Sequence, residues 1–414
     1  MLSQVALRIV RSVVRYSTKA RPREALVKAG LASASNEEAV GQTAQLSKNY
    51  LPALDGVRAI AILLVVLYHA LDGLPSFTWG QRLFIRVASQ GWIGVDLFFV
   101  LSGFLITGIL LDGERTQKSL RNFYARRILR IVPVYAIFLL YSLWLAPRFG
   151  TSSSDEAALL GKTQVWYWTY TVNFLVALRN WSAITRPTGH LWSLSVEEQF
   201  YLLWPIAVLA LSTRSLKWAA LGCIVGAELV RFVLLLADAS GQVGFVLLPS
   251  RMDALAAGAL LACAYRDRSL WSRVLRARQV AVLGALALLL LVVLRRHTID
   301  IMESDEQLLV LPALVALGGV LVASGAEGLA GLAGAALRFI AQISYGMYVW
   351  HLVALRLVSA RVHAPPETAD AWRWWVFYGA MVTGTLGITI VLAQISWHFI
   401  ERPVLRLKRY VPAQ

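Results

Sequence analysis

Ten apolar runs, each close to the length of a membrane-crossing helix, recur along this 414-residue chain. They lie near 52–72, 91–111, 129–147, 192–212, 217–238, 247–265, 279–295, 307–324, 338–357 and 374–397. No polar block between them is large enough for a soluble domain. The expected fold is therefore all-α: a polytopic membrane bundle of about ten helices over residues 49–410. Hydrophobic residues make up 57% of the sequence, more than a soluble domain of this length hides from water.

Charge sets the expected orientation. The chain carries 40 Lys and Arg against 24 Asp and Glu, a net +16. Its arginines gather in short segments between apolar runs, which is the positive-inside pattern and argues against nucleic acid as a partner. Arg115, Lys118, Arg121, Arg126, Arg127 and Arg130 mark the second connection as cytoplasmic. The aromatic stretch 165–178 is then decisive. If it crossed the membrane, the loop holding Arg266, Arg268, Arg273, Arg276 and Arg278 would fall outside. Read as an interfacial or re-entrant element on the outer side, it returns that loop to the cytoplasm. It also leaves both termini cytoplasmic and puts Asp300, Glu303, Asp305 and Glu306 outside. The first 48 residues form a basic, partly amphipathic extension and a polar linker, read as a helix on an anionic inner leaflet. Cys223 and Cys263 sit in apolar runs, so neither a disulfide framework nor a metal site is expected.

Against this apolar background the titratable groups stand out, because charge inside a span is costly and usually functional. The first run, "DGVRAIAILLVVLYHA", separates Arg58 from His69 by about 16 Å of helix rise. Asp72 follows His69 and is expected to end that helix. The second run buries Asp96, which needs a partner such as an arginine, and carries Ser102 and Gly103 in a glycine-rich stretch suited to close helix approach. Arg127 and Arg130 share one helix face at i,i+3, where two guanidiniums can clamp a phosphate. Positive-inside charge alone would also explain them.

The fourth run enters through "GHLWSLSVEEQFY", with His190, Trp192, Ser193, Glu197, Glu198 and Tyr201. The adjacent acids point in different directions on a helix, so one at most faces a site. They could also cap a helix begun at Ser193 or Ser195. In the expected topology Glu197 and His69 share the outer half of the membrane, a possible proton-handling pair. Arg251 and Asp253 open the sixth run, Glu228 and Arg231 are spaced as a structural pair, and "ISYGMYVWHL" adds Ser344, Tyr345, Tyr348 and His351. The Gly- and Ala-rich stretch 325–336 reads as a turn. No nucleophile elbow, zinc motif, phosphate loop, dinucleotide fingerprint or internal repeat is present.

Taken in order, these segments resemble the acyltransferase-3 family of bacterial membrane O-acyltransferases. The resemblance runs from about Tyr50 to Arg409. It rests on Arg58 and His69 at Arg-x10-His spacing, "GVDLFFVLSGFLI", "RILR" from Arg127 to Arg130, "HLWSLSVEEQFYLLWP", "RMDALAAGALL", "ISYGMYVWHL" and "IERP". It implies a ten-span enzyme of the bacterial inner (cytoplasmic) membrane that uses cytosolic acyl-CoA, commonly acetyl-CoA, as co-substrate and holds no tightly bound cofactor. The acceptor it implies is a hydroxyl at the outer side of the membrane, on O-antigen, exopolysaccharide or another envelope glycan; a small metabolite such as a macrolide is the alternative.

By that resemblance Arg58, Arg127 and Arg130 bind the anionic end of acyl-CoA, and His69 is the catalytic base with Glu197 orienting or stabilising it. An acyl-histidine intermediate is the rival mechanism. Asp96, Ser102, His190, Trp192, Ser193, Tyr201, Arg251, Asp253, Tyr345 and His351 are expected on the supporting or acceptor side. Some family members carry a fused soluble esterase-like domain, and none is expected here. Neither an oligomeric state nor a role for the N-terminal extension is implied. A multispan transporter is the competing class; it predicts inverted repeats and paired interrupted helices, and the sequence displays neither.

Overall fold

The computed structural model describes residues 50–149, 152–296, 303–329 and 331–412, and among them every regular element is helical. The amphipathic helix and linker expected over residues 1–48 lie outside the described residues, as does Asp300. The helices are α1 (Pro52–Leu71), α2 (Trp79–Ala88), α3 (Ile93–Asp112), α4 (Gln117–Leu140), α5 (Ser154–Trp168), α6 (Val172–Arg179) and α7 (Leu191–Ala210). They continue as α8 (Thr213–Leu236), α9 (Gly241–Val246), α10 (Leu248–Tyr265), α11 (Arg268–Arg296), α12 (Ser304–Ala326), α13 (Ala335–Ser359) and α14 (Ala371–Ser396).

All ten expected runs are helices, displaced by a few residues to about a dozen at their ends. Among the described residues, eight helical stretches are long and apolar enough to cross a membrane. The two that fall short, α7 and α13, are long enough but carry too many polar groups; Ser193, Ser195, Ser344 and His351 are buried, whereas Arg338 is exposed. On hydropathy alone the count is thus eight rather than ten. The stretch 165–178 does not form one helix: α5 ends at Trp168, Tyr170 takes φ +53°, and α6 begins at Val172. Neither piece is long enough to span.

Small residues bring the central helices together. A Cβ on Gly103 of α3 would run into the Leu255 carbonyl of α10, and one on Gly258 of α10 would run into the Val100 carbonyl. Backbone therefore lies against backbone at this crossing, as close helix packing in a membrane requires. Gly56 of α1 meets the backbone of Leu332 in the same way. That residue sits in the turn between α12 and α13, where Gly328 and Gly331 take φ of +76° and +89°, a backbone that favours glycine. The turn expected over 325–336 is present. At the periphery, α8 and α11 expose Val225, Leu229, Phe232, Leu283, Leu290 and Leu294, apolar surface suited to lipid.

Two buried ion pairs tie the core. Arg251 of α10 pairs with Asp96 of α3, both almost fully buried. Arg231 of α8 lies 2.8 Å from Asp253 of α10 and also pairs with Glu228 on its own helix. The expected arginine partner of Asp96 and the Glu228–Arg231 pair are both present. Asp96, Arg251 and Asp253, expected on the supporting or acceptor side, make these buried pairs and line neither cavity described below.

Candidate active site

Two cavities lie end to end inside the bundle. The smaller, about 120 Å³, is where α1, α3, α4, α7 and α13 meet. Arg58, Arg127 and Arg130 all line it, together with Ser102, Glu197, Tyr201 and Tyr345. The i,i+3 spacing on α4 does bring both its arginines to one face. Arg127 stacks 3.8 Å over the ring of Tyr201, and Arg58 keeps a 3.3 Å contact to Asp55 one turn before it. Three guanidiniums thus line one cavity, the kind of group whose planar fork suits phosphate or carboxylate.

Glu197 is the acid that faces this cavity. Its Oε1 accepts from the hydroxyls of Ser102 and Tyr201, the latter at 2.7 Å, and Tyr201 also reaches Ser102 at 2.8 Å. Glu198 points elsewhere, with Oε1 buried and unpartnered, as divergent neighbours on a helix must. Helix α7 starts at Leu191 with His190 as its N-cap residue, so neither Ser193 nor Ser195 caps it. Both acids sit almost two turns in, beyond the first turn where the helix dipole acts.

The larger cavity, about 460 Å³, holds His69. Its wall includes His190, Trp181, Trp192 and Phe245, and its rim carries Asp72 and Arg186. Asp72 is the C-cap residue of α1, which ends there as expected. Trp192 packs with its ring centroid 4.8 Å from Phe245 and 6.3 Å from Trp181. Trp181, Phe245 and Arg186 were not singled out in the sequence. They come from loops and from the short helix α9, where no periodicity marks a residue as lining anything.

His69 is oriented by carbonyls and by another histidine. Its Nδ1 lies 2.9 Å from the Val65 carbonyl on its own helix and 3.2 Å from Nε2 of His351. Nδ1 of His351 lies 2.7 Å from the Tyr348 carbonyl. A carbonyl only accepts, so both Nδ1 atoms carry the proton. His69 then donates from Nδ1 to Val65 and His351, and its Nε2 is left with a bare lone pair. That is the atom a base or nucleophile needs.

Glu197 and His69 do not meet. Each has its own partners, and they line different cavities. The proton-handling pair expected from shared depth is replaced by His69–His351, because two residues at one depth on different helices face each other only if both helices are turned that way. Two residues, Val95 and Tyr348, line both cavities. The Tyr348 hydroxyl donates to the His190 carbonyl at 2.8 Å and also bonds Ser193. With Val95 it forms the wall common to the arginine cavity and the histidine cavity. Tyr345 donates at 2.8 Å to the Ile131 carbonyl and fixes α13 against α4 on the arginine side. No group of His, Cys, Asp and Glu able to hold a metal ion is present among the described residues.

The sequence is similar to those of known O-acetyltransferases. The chain is 28% identical over 388 residues to the peptidoglycan O-acetyltransferase OatA of Listeria monocytogenes, covering 88% of this chain and 57% of that protein. It is 28% identical over 379 residues to the putative peptidoglycan O-acetyltransferase YrhL of Bacillus subtilis, covering 86% of this chain and 55% of the relative. The O-acetyltransferase OatA of Staphylococcus aureus is 36% identical over 176 residues, 41% of this chain and 26% of that protein. The chain thus spans little more than half the length of the first two. No solved structure matches it. An acyltransferase domain is matched over residues 51–394, from the start of α1 to the end of α14, and the chain accordingly belongs to the acyltransferase-3 family.

Proposed function

We propose that this protein is an O-acyltransferase of the bacterial cytoplasmic membrane that moves an acyl group, acetyl being the simplest, from cytosolic acyl-CoA to a hydroxyl of an envelope glycan. The names of the relatives favour peptidoglycan as that glycan. One observation carries the reading: an arginine cavity and a histidine cavity adjoin, with Val95 and Tyr348 lining both.

In this reading Arg58, Arg127 and Arg130 hold the phosphates of acyl-CoA, since planar guanidiniums suit phosphate oxygens. The pantetheine arm extends past Tyr348 and brings the thioester to His69. The bare Nε2 of His69 removes the proton from the acceptor hydroxyl as its oxygen attacks the thioester carbon. The tetrahedral intermediate collapses, the C–S bond breaks, and the proton passes from the imidazolium to the departing thiolate. Throughout, the Nδ1–H bonds to Val65 and His351 hold the ring in one tautomer and stabilise its transient positive charge. Glu197 sets the wall of the donor cavity through Ser102 and Tyr201.

The test is a strain lacking the protein, complemented with wild type or His69→Ala at matched membrane levels. Mass spectrometry of its peptidoglycan and other envelope glycans then reads ester-linked acyl groups. Restoration by wild type alone is the expected result. Equal restoration by His69→Ala would remove the histidine from the chemistry, and no acyl change in either strain would overturn acyl transfer.

A further inference from the structure

One buried acid has no part in the transfer chemistry. Glu401, in "IERP", is 3% exposed, and its Oε2 is buried without a hydrogen-bond partner. Burying a carboxylate is costly unless a nearby charge offsets the loss of water, and buried polar atoms are almost always bonded. The backbone is nevertheless arranged to put the acid there. After α14 the chain continues as a π-helical turn, Trp397–Glu401. In such a turn residue i+5 lies over residue i, so Glu401 stands above buried Ser396, whose hydroxyl donates to its Oε1 at 3.3 Å. In an unbroken α-helix the same five-residue step would carry Glu401 about 140° round, away from that side. Glycine makes room opposite: a Cβ on Gly346 of α13 would lie 3.0 Å from Glu401 Oε1 and 3.3 Å from Cα of Ala393.

What the acid faces is a cation. Among the described residues, Arg130 of α4 is the one positive group whose field acts on Glu401. The two make no ion pair, so Arg130 keeps its donors for the smaller cavity, which it lines and Glu401 does not. The other two arginines of that cavity have acids nearby as well. Asp55 lies 3.3 Å from Arg58, and the fields of Glu197 and Glu198 act on Arg127. Each guanidinium fork is thus backed by a carboxylate. The fork supplies the geometry an anion needs, and the charge behind it subtracts from the attraction.

We propose that Glu401 is a counter-charge that keeps the donor cavity from holding its anion too tightly, so that coenzyme A leaves after each transfer. This rests on the acyl-transfer reading for the identity of the anion. Acyl-CoA enters and coenzyme A leaves with the same phosphates, so a site that grips one grips the other. Product release then limits turnover, as it does in many enzymes. Glu401 touches neither molecule and acts through the field at Arg130.

The experiment is calorimetric titration of the purified full-length protein in detergent with coenzyme A, at pH 8 and without any acceptor. Glu401→Gln keeps the shape and a partner for Ser396 but removes the charge. It should bind coenzyme A about tenfold more tightly than wild type, the size of one unit charge acting on another through protein. Glu401→Met, also uncharged, should do the same. Ser396→Ala keeps the charge and should stay within about threefold of wild type. In steady-state transfer, product inhibition by coenzyme A should strengthen about tenfold in both neutral variants. The sign discriminates, because a damaged fold weakens binding and does not strengthen it.

Coenzyme A binding unchanged or weakened in both neutral variants would overturn the proposal, as would its absence in a wild-type protein that restores envelope acylation in cells. Tighter binding by the neutral variants of a protein that changes no acyl group in cells would uphold the counter-charge and overturn acyl transfer instead. Failure in both assays would overturn both.

Discussion

The Nδ1 of His69 and the Nε2 of His351 lie 3.2 Å apart, joining α1 to α13 through two imidazoles whose other contacts are backbone carbonyls. Those carbonyls fix the tautomer of both rings. In the proposed mechanism His351 acts through His69 and not on substrate. Replacing it with Phe leaves the Val65 contact in place but removes the second acceptor for the Nδ1 proton. The expected result is a fall in kcat of about tenfold to a hundredfold with little change in KM for either substrate, whereas His69→Ala abolishes transfer. Steady-state kinetics on the purified enzyme separate the two. An equal loss in kcat for both variants would give His351 a direct part in the chemistry.

Arg127→Met and Arg130→Met each remove one guanidinium from the smaller cavity. Both should raise the KM for acetyl-CoA by about tenfold to a hundredfold, the range for a charge-assisted bond to phosphate. Rising salt should narrow the gap from wild type, since it screens the remaining charges. KM measured at two ionic strengths checks this; unchanged values in both variants would remove these arginines from donor binding.

Asp96 and Arg251 form a pair whose members depend on each other. Asp96→Leu leaves a buried guanidinium without its carboxylate, a loss of about 3–5 kcal/mol. The double variant Asp96→Leu with Arg251→Met removes both charges and should recover most of that stability. Thermal unfolding in detergent, followed by size-exclusion chromatography, reads the cycle. A double variant no better than the single one would mean the pair does more than neutralise itself.

At the α3–α10 crossing, Gly103→Val should block assembly rather than adjust it, because the new side chain would collide with the Leu255 backbone and backbone cannot rotate away. Gly222→Val on α8, where nothing lies within 4 Å of the new Cβ, is the comparison and should yield folded protein. The yield of monodisperse protein checks both.

A fifth interaction joins Glu156, outside the membrane-spanning helices, to Arg356 in the last turn of α13, and it titrates. Glu156, near the start of α5, receives the Ser153 backbone N–H at 3.0 Å and the Arg356 guanidinium at 2.7 Å. Burial by itself raises its carboxyl, but those two contacts outweigh it and hold the group below the usual carboxylate range. A depressed acid stabilises the fold above its unfolded pKa, about 4.3, and the gain is lost as pH falls through the folded value. The Tm gap between wild type and Arg356→Met should therefore be constant near neutrality and close below about pH 4. A gap independent of pH would make the contribution of Arg356 one of packing.

How much of this the sequence carried depends on which physical rule applied. Helix positions followed from apolar runs because a bilayer forces backbone groups to bond within the segment. The convergence of Arg127 and Arg130 followed from i,i+3 spacing, and the need of Asp96 for an arginine followed from the cost of a lone buried charge. The partner of His69 did not follow. Shared depth suggested Glu197, but the azimuth of each helix is set by glycine-mediated contacts such as Gly103 against Leu255. Trp181 and Phe245 were invisible for a different reason, since loops and six-residue helices carry no period from which an inward face can be read.

Tyr348 has a consequence beyond guiding the thioester. A passage open from the arginines to the rim beyond His69 would be a hole through the membrane, and protons would run through it down their gradient. In the proposed mechanism the bonds from its hydroxyl to Ser193 and the His190 carbonyl hold that passage shut between transfers. In the proposed cycle that seal gives way only while the pantetheine arm fills the opening in its place. A cell could then keep many copies of such an enzyme in an energised membrane without discharging it.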